Sequence, residues 1–573
     1  MSSIDPRQYL RMFEPKLATV LREGYGLRAL RADAVAGLTV AVVALPLAMA
    51  LAIASGTTPD KGLHTAIIAG FLISAFGGSR VQIGGPTAAF IPVVFVVIQK
   101  YGYGGLILCT LMAGLMLIAA GLLRLGTLMK YMPQPVITGF TAGIAVSIFS
   151  SQVKDALGLR MGEVPAEFFE RWTAYGQHIA STQPAAVALT VLGLAVIVGL
   201  RRWRPKWPGF LVALLLCTVA ATALALPAET IGTRFGALPS GLPSFDFPHI
   251  PFERTFELLP SAFTIAFLAG VESLLSAVVA DGMTGGRHRS NGELVAQGVA
   301  NVGSALFGGL PATGAIARTA TNIRAGGSTP VAGMLHAAFL LLFMLLLAPL
   351  MGYVPLAALA AVLLVVAWNM SEVENFRNTL SAPWGDRLVL LLTFFLTVLL
   401  DLTVAIQAGV VLAAFVFMFR MAEAVEVSSG VRMIDDDLQS GDPARDADLG
   451  QRAKLPAGVE AYQIGGPLFF GAANRLDNLL DQFFVPPKVL ILRMRLVPVI
   501  DASGVHALKK LAGRCHRKGI ALIVSGLQEQ PNRVIANMRL EEGPGELHFA
   551  SNFERAVRLA ESIVGQHAQP PAR

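Results

Sequence analysis

The chain has 573 residues, of which 54% are hydrophobic and only 14% charged, where an ordinary soluble domain carries about 25% charged residues. That composition, with a mean hydropathy of +0.60, excludes a purely soluble globular protein. The formal net charge of +7 and the pI near 9.4 come from Lys and Arg at the borders of apolar runs, so the implied partner is an anionic bilayer surface and not nucleic acid. Three widely spaced cysteines, Cys109, Cys217 and Cys515, and nine scattered histidines form no disulfide framework or metal-ligand spacing. No GxSxG, Walker A or HExxH pattern occurs, so no enzyme, metal or cofactor is expected.

Residues 1–33 read as a polar cytoplasmic N-terminal segment without the apolar stretch and small-residue cleavage site of a signal peptide. From Ala34 onward come runs long enough for a ~30 Å hydrocarbon core, which needs roughly 20 apolar residues per helix. Fourteen segments are expected, near 34–55, 63–78, 86–99, 104–123, 133–152, 185–200, 208–226, 259–281, 292–308, 313–324, 330–350, 354–370, 386–401 and 403–421. They make a transmembrane domain over 34–427. Its even-numbered connections carry Arg80, Arg124, Arg201 and Arg202, Arg287 and Arg289, and Arg324. Cytoplasmic loops collect Lys and Arg, so both termini are expected on the cytoplasmic side of a cell's inner (plasma) membrane.

Two segments repeat each other: FGGSRVQIGGPTAAF at Phe76–Phe90 and FGGLPATGAIARTATN at Phe307–Asn322. The similarity extends upstream, from HTAIIAGFLISAFGG to ELVAQGVANVGSALFGG. Seven segments separate corresponding positions, and an odd number of crossings inverts the second copy, giving repeats of about 34–226 and 259–427. Gly84, Gly85 and Pro86 in one copy and Pro311 in the other break a helix at membrane depth. Unwound backbone is tolerated there only when it is buried in protein or lines a cavity. Two half-helices would then aim their N-termini at one site from opposite sides, and exposed N–H groups with the positive dipole end favour an anion. Thr87 and Thr313 add hydroxyls.

Two charges lie nearby in sequence. Glu272 sits alone in AFLAGVESLLSAVV, where a carboxylate costs several kcal/mol unless paired or protonated, which suits a proton carrier. Arg318, in AIARTATN, keeps its charge and would favour an anion or balance Glu272.

These stretches, with VAGLTVAVVALPLAMALAIASG near the start and VESLLSAVVADGMTGGRHRSNGELVAQGVANVGSALFGG ahead of the second break, resemble the SulP/SLC26 anion transporters in order across nearly the whole chain. The resemblance implies an all-α polytopic membrane domain of two inverted seven-helix repeats, divided into core and gate, moving in an elevator-like cycle and commonly dimeric. It assigns substrate contacts to Gly85, Thr87, Ala88, Ala89, Thr313, Gly314, Ala315 and Arg318, and coupling-ion roles to Glu272 and to Ser276 one turn on. Two positions depart from the family pattern: Leu47 follows Pro46 where a Gln is common, and Ile316 stands where sodium-coupled bicarbonate members tend to have a hydroxyl. With Glu272, the second departure favours protons over sodium.

After a polar, Asp-rich linker over 428–454, residues 455–566 alternate apolar strand-like runs (VEAYQIGGPLFFG, KVLILRM, IALIVSGL) with helix-like stretches (NRLDNLLDQF, GVHALKKLAGRCHRKG, PNRVIANMRL). VIDASGVHALKKL resembles the signature of a STAS domain, a small cytoplasmic α/β fold. Ser503 falls where related anti-sigma-factor antagonists carry a phosphorylated serine, so it is either a regulatory site or the helix cap. The expected function is secondary transport of a small anion (sulfate, bicarbonate or a dicarboxylate) by proton symport, with a possible protein partner for the STAS domain. Anion exchange, sodium-coupled bicarbonate transport, nucleobase/proton symport and a membrane-anchored STAS scaffold are the alternatives.

Overall fold

In the computed structural model, residues 12–129, 133–162, 164–204, 207–237, 245, 251–400, 402–423, 426–429, 455–469, 480, 486–540, 543 and 547–566 are described. The chain forms two compact units, Met1–Ala413 and Ala414–Arg573.

The first unit and the helix that ends it contain, among the described residues, twelve largely apolar helices and one short polar one, α9: α1 Leu27–Ala54, α2 Pro59–Phe76, α3 Ile91–Leu122, α4 Gln134–Leu157, α5 Pro184–Trp203, α6 Gly209–Ala223, α7 Thr255–Thr284, α8 Ser290–Leu306, α9 Ile316–Arg324, α10 Pro330–Met351, α11 Leu356–Met370, α12 Trp384–Leu399 and α13 Leu402–Glu423. Gly102, with φ +68°, breaks α3 into two, which gives the fourteen segments. Among the described residues, eight helices are long and apolar enough to cross a membrane by themselves. Helix α9, with nine residues, is too short to span and is a half-helix.

Contacts sort these helices into two bundles. In one, α1, α2, α3, α7, α8, α9 and α10 pack on one another; in the other, α4 packs on α11 and α12, and α5 on α6 and α11. This is the core-and-gate division, with α1 touching both. Lipid supplies no hydrophobic drive between helices, so close approach of small residues does the packing. Where α3 crosses α8, a Cβ on Gly114 would stand 2.8 Å from the Gly298 carbonyl oxygen, and one on Gly298 would stand 2.5 Å from that of Gly114. Any side chain there would push the helices apart.

Helix α1 starts at Leu27, about two turns ahead of the Ala34 start read from hydropathy. The polar turn is stable because Asp33, fully buried, accepts hydrogen bonds from the backbone N–H groups of Ser328 (2.9 Å) and Thr329 (3.3 Å), the Thr329 hydroxyl (2.5 Å) and the Tyr25 hydroxyl (3.1 Å). A charge that looks like part of a solvated tail instead ties α1 to the start of α10.

The second unit holds a five-stranded sheet in the order β3 Glu426–Ser429, β4 Val459–Gly465, β5 Val489–Leu496, β6 Ala521–Ser525 and β7 Leu547–Ala550. Strands β4 to β7 run parallel and β3 antiparallel to β4. Parallel strands are covered on both faces and so read as continuous apolar runs. One face packs Leu490, Leu492 and Leu522 against Val505, Leu508 and Leu511 of α14 (Ala502–Arg517). The other packs Ile491 and Ile523 against Phe553, Ala556 and Ala560 of α16 (Phe553–Gln566), while α15 spans Glu529–Asn537. Ser428 and Ser429, read as the start of the linker, instead belong to β3, which pairs with Gly465 to Tyr462. The remainder of that linker and, apart from Leu480, the helix expected at 474–483 lie outside the described residues.

Candidate functional site

The two glycine-proline breaks meet. Gly84 and Gly85 (β1) pair antiparallel with Thr313 and Gly314 (β2), in the register Gly84 to Gly314 and Gly85 to Thr313. The half-helix of the first repeat begins as a 3-10 turn, Ala88–Phe90, and continues into α3; that of the second is α9. Neither terminus has a side-chain cap: the preceding residues Thr87 and Ala315 are extended and cap nothing. The first start, Ala88–Phe90, is buried, whereas Ile316 and Ala317 at the second are exposed; an uncapped helix start leaves N–H groups for a ligand.

Side chains fix this meeting point. Arg318 is buried, and its Nη2 donates to the Pro86 carbonyl oxygen at 3.2 Å, while Nη1 has no hydrogen-bond partner among the described residues. The guanidinium lies directly over Gly85, where a Cβ would come within 2.1 Å of Nη1 and where φ is +153°. Glycine is required there on both counts. On the opposite strand a Cβ at Gly314 would fall 1.4 Å from Gln82 Nε2.

The Thr87 hydroxyl, free of capping, donates to Glu272 Oε2 at 3.0 Å, and Glu272 is half-buried. Glu272 and Arg318 form no ion pair with each other among the described residues, so the site holds a carboxylate and a guanidinium that leave each other's charge uncancelled. Thr313 is fully buried and donates to the Ala269 carbonyl oxygen at 2.7 Å. The Ser276 hydroxyl donates to Thr319 Oγ1 at 3.2 Å, and that oxygen also accepts from the Ile83 N–H at 3.1 Å, beside the first break. Ala88 and Ala89 are buried at the first terminus, and Ala315 donates its N–H to the Ile83 carbonyl oxygen at 3.0 Å.

A buried polar scaffold behind the site was missed by sequence reasoning. Glu293 Oε2 accepts from the N–H groups of Gly78 (2.8 Å) and Ser79 (3.2 Å), and Oε1 from the Ser273 hydroxyl (3.0 Å) and Gln297 Nε2 (2.8 Å). Gln82 Nε2 donates to the Ser273 carbonyl (3.1 Å) and hydroxyl oxygens (2.8 Å). Asn301 clamps Ala312 through both its N–H and carbonyl groups at 2.9 and 2.8 Å. The signal was present: Glu293, Gln297 and Asn301 recur every four residues on one face of α8, a polar stripe in a helix that has no water to face.

In the second unit the helix cap belongs to Asp501, whose carboxylate accepts from the Gly504 N–H at 2.8 Å. Ser503 lies inside the first turn, half-buried, and does not cap. Burial pushes the Cys515 thiol up to about 12, which makes it an inert packing residue.

A pair of half-helices meeting at one strand pair, inside a polytopic bundle of apolar helices, is the architecture of a membrane transporter. The chain belongs to the sulfate permease family of anion transporters: the model of that family matches residues 30–393, and a STAS domain model matches 452–556. YvdB of Bacillus subtilis (strain 168), a protein named for sulfate transport, is 44% identical over 93% of this chain and 98% of its own length. The bicarbonate transporter BicA of Synechocystis sp. is 30% identical over 94% of this chain and 96% of its own. Among solved structures, the transmembrane domain of a cyanobacterial BicA is 33% identical, with a TM-score of 0.62 over 67% of this chain and 98% of that one. Murine Slc26a9, at 18% identity, shares the fold with a TM-score of 0.85 over 98% of this chain and 96% of that one.

Proposed function

We propose that the chain is a proton-coupled symporter of a small oxyanion, bound between the half-helix starts Gly85–Ala89 and Thr313–Ala317. The observation that carries this reading is the pairing of Gly84 and Gly85 with Thr313 and Gly314, which brings two uncapped helix N-termini and the buried Arg318 guanidinium to one place. Backbone N–H groups and a fixed cation select for negative charge. Glu272, tied to Thr87 at the first terminus, takes up the coupling proton. Protonation removes the Glu272 negative charge from beside an incoming anion, so proton and anion bind together.

Sulfate is the first candidate, from the name of the 44% identical relative, and bicarbonate the second, from BicA; a dicarboxylate fits the same chemistry. The core bundle carries the site past the gate in an elevator-type cycle. The protein sits in the inner membrane with both termini cytoplasmic, supported by basic connections and by the packing of the N-terminal stretch on the ends of α2 and α8: the Lys16 N–H donates to the Gly77 carbonyl oxygen at 2.9 Å, and Arg289 Nη1 to that of Glu14. The protein works as a homodimer, and the STAS unit regulates it through Ser503 or a protein partner.

Purified protein in liposomes tests the reading with labelled sulfate, bicarbonate, fumarate and uracil, each with and without a pH gradient. Anion uptake that rises with an inward proton gradient is expected. Uptake of uracil alone, or of no anion, overturns it. Sodium-driven uptake without proton dependence overturns the coupling.

A further inference from the structure

At the end of the first unit where α1, α4 and α12 finish, opposite the Lys16–Glu23 helix, lies a cavity of about 730 Å³. It descends along α3 to Ile91 and Pro92, directly after the Ala88–Phe90 turn, and so ends beside the first half-helix terminus. Among the described residues its ionisable lining is Lys100, Lys154, Arg171 and Arg234 against Asp155 and Glu167. Arg234 is neutralised locally, with Nη1 2.8 Å from Asp155.

Arg171 differs from the others. It is 6% exposed, it donates Nε to the Pro165 carbonyl oxygen at 3.0 Å and Nη2 to that of Ala166 at 2.8 Å, and its guanidinium carbon lies 5.9 Å from the centre of the Phe95 ring. No carboxylate lies within ion-pair distance of it among the described residues. Burial lowers its pKa, yet a guanidinium does not give up its proton in a protein. Among the described residues this buried cation is met by carbonyls and a ring face, none of which cancels its charge, and the low-dielectric walls of the cavity it lines focus that field. An acid from the protein would normally accompany it.

We propose that this cavity is a second anion site, an antechamber in which Arg171 holds a small oxyanion before it passes to the half-helix pair. The assignment of its cargo rests on the anion transport proposed above; the charge of the cavity does not. Phe95 orients the guanidinium, and the two carbonyl bonds lock it, so the site costs little reorganisation on filling.

The test uses the full chain in proteoliposomes with Ser147→Cys as a reporter, since Ser147 lines the cavity and the three native cysteines are buried. Modification by an anionic sulfonate-bearing methanethiosulfonate is compared with that by a cationic trimethylammonium analogue, both applied from the outside. The anionic reagent should react faster by roughly tenfold, as electrostatic steering allows, and high salt should erase the preference. Arg171→Gln should bring the ratio toward one, while Arg171→Lys, which keeps the charge but breaks the carbonyl bonds, should preserve it. Sulfate should protect the reporter, and Arg171→Gln should raise KM for uptake at unchanged kcat. Equal rates in the parent, or a ratio lost equally in Arg171→Lys and Arg171→Gln, overturns the proposal and leaves Arg171 as a loop clasp. If Arg171→Gln fails to fold, Asp155→Asn must raise the ratio, and a fall contradicts the proposal. Charge selectivity and sulfate protection without any anion uptake would uphold the antechamber and refute the transport reading instead.

Discussion

Gly85→Ala probes the meeting of the two repeats with one methyl group. The new Cβ would lie 2.1 Å from Arg318 Nη1, well inside contact distance, and the backbone holds φ at +153°. The guanidinium cannot simply swing away, because Nη2 is bonded to the Pro86 carbonyl and the side chain is buried. Overpacking a filled interior costs about 1–3 kcal/mol. The left-handed backbone adds about 1–2 kcal/mol for any residue with a Cβ. The substitution should therefore destabilise the protein by about 2–5 kcal/mol. Arg318→Ala removes the obstructing group, so in that background only the backbone share should remain, and the two substitutions should couple by about 1–3 kcal/mol. Unfolding of the purified variants, followed by tryptophan fluorescence, measures the cycle. Strict additivity, or an unaltered Gly85→Ala protein, would refute the packing of Arg318 on Gly85.

Four further outcomes are expected. Glu272→Gln should abolish the response of sulfate uptake to a pH gradient while leaving binding intact; retained proton dependence would remove Glu272 from coupling. Thr87→Val deletes the hydroxyl that holds Glu272 and should cost about 1–3 kcal/mol as a lost charge-assisted bond, read as a fall in uptake without loss of folded protein. Glu293→Ala leaves two backbone N–H groups and two side chains without their acceptor, at about 1–3 kcal/mol for each unsatisfied group; hydrogen exchange at Gly78 and Ser79 should rise first, and unchanged protection would show that the carboxylate does not hold the break. Asp501→Ala in the STAS unit should cost about 1 kcal/mol through the lost cap, measurable by thermal unfolding, whereas Ser503→Ala should leave stability unchanged.

The helices and the inverted repeat were legible because each is written in local pattern: apolar runs of membrane length, and glycine with proline at matching places in two halves. Arg318 and Glu272 stood out as charges that the surrounding composition does not tolerate. What sequence could not supply was partnership. Nothing local says that Thr87 gives its hydroxyl to Glu272 instead of capping its own helix. Hydropathy set the start of α1 too late because it cannot see that Asp33 is satisfied by Ser328 and Thr329, nearly three hundred residues on. Glu293 escaped for the same reason: among polar neighbours it looks solvated, and only long-range bonds to Gly78 and Ser79 show it as the support for the first break. Ser428 and Ser429 looked like linker because a short edge strand carries little apolar signal of its own.

Equilibrium binding of labelled sulfate to the purified parent, Gly85→Ala and Gly314→Ala tests most directly whether one anion is held between both half-helices. The two substitutions alter opposite repeats and remove no charge. If the anion spans the paired termini, the folded fraction of both variants loses sulfate binding. Full binding by either variant would contradict a shared site.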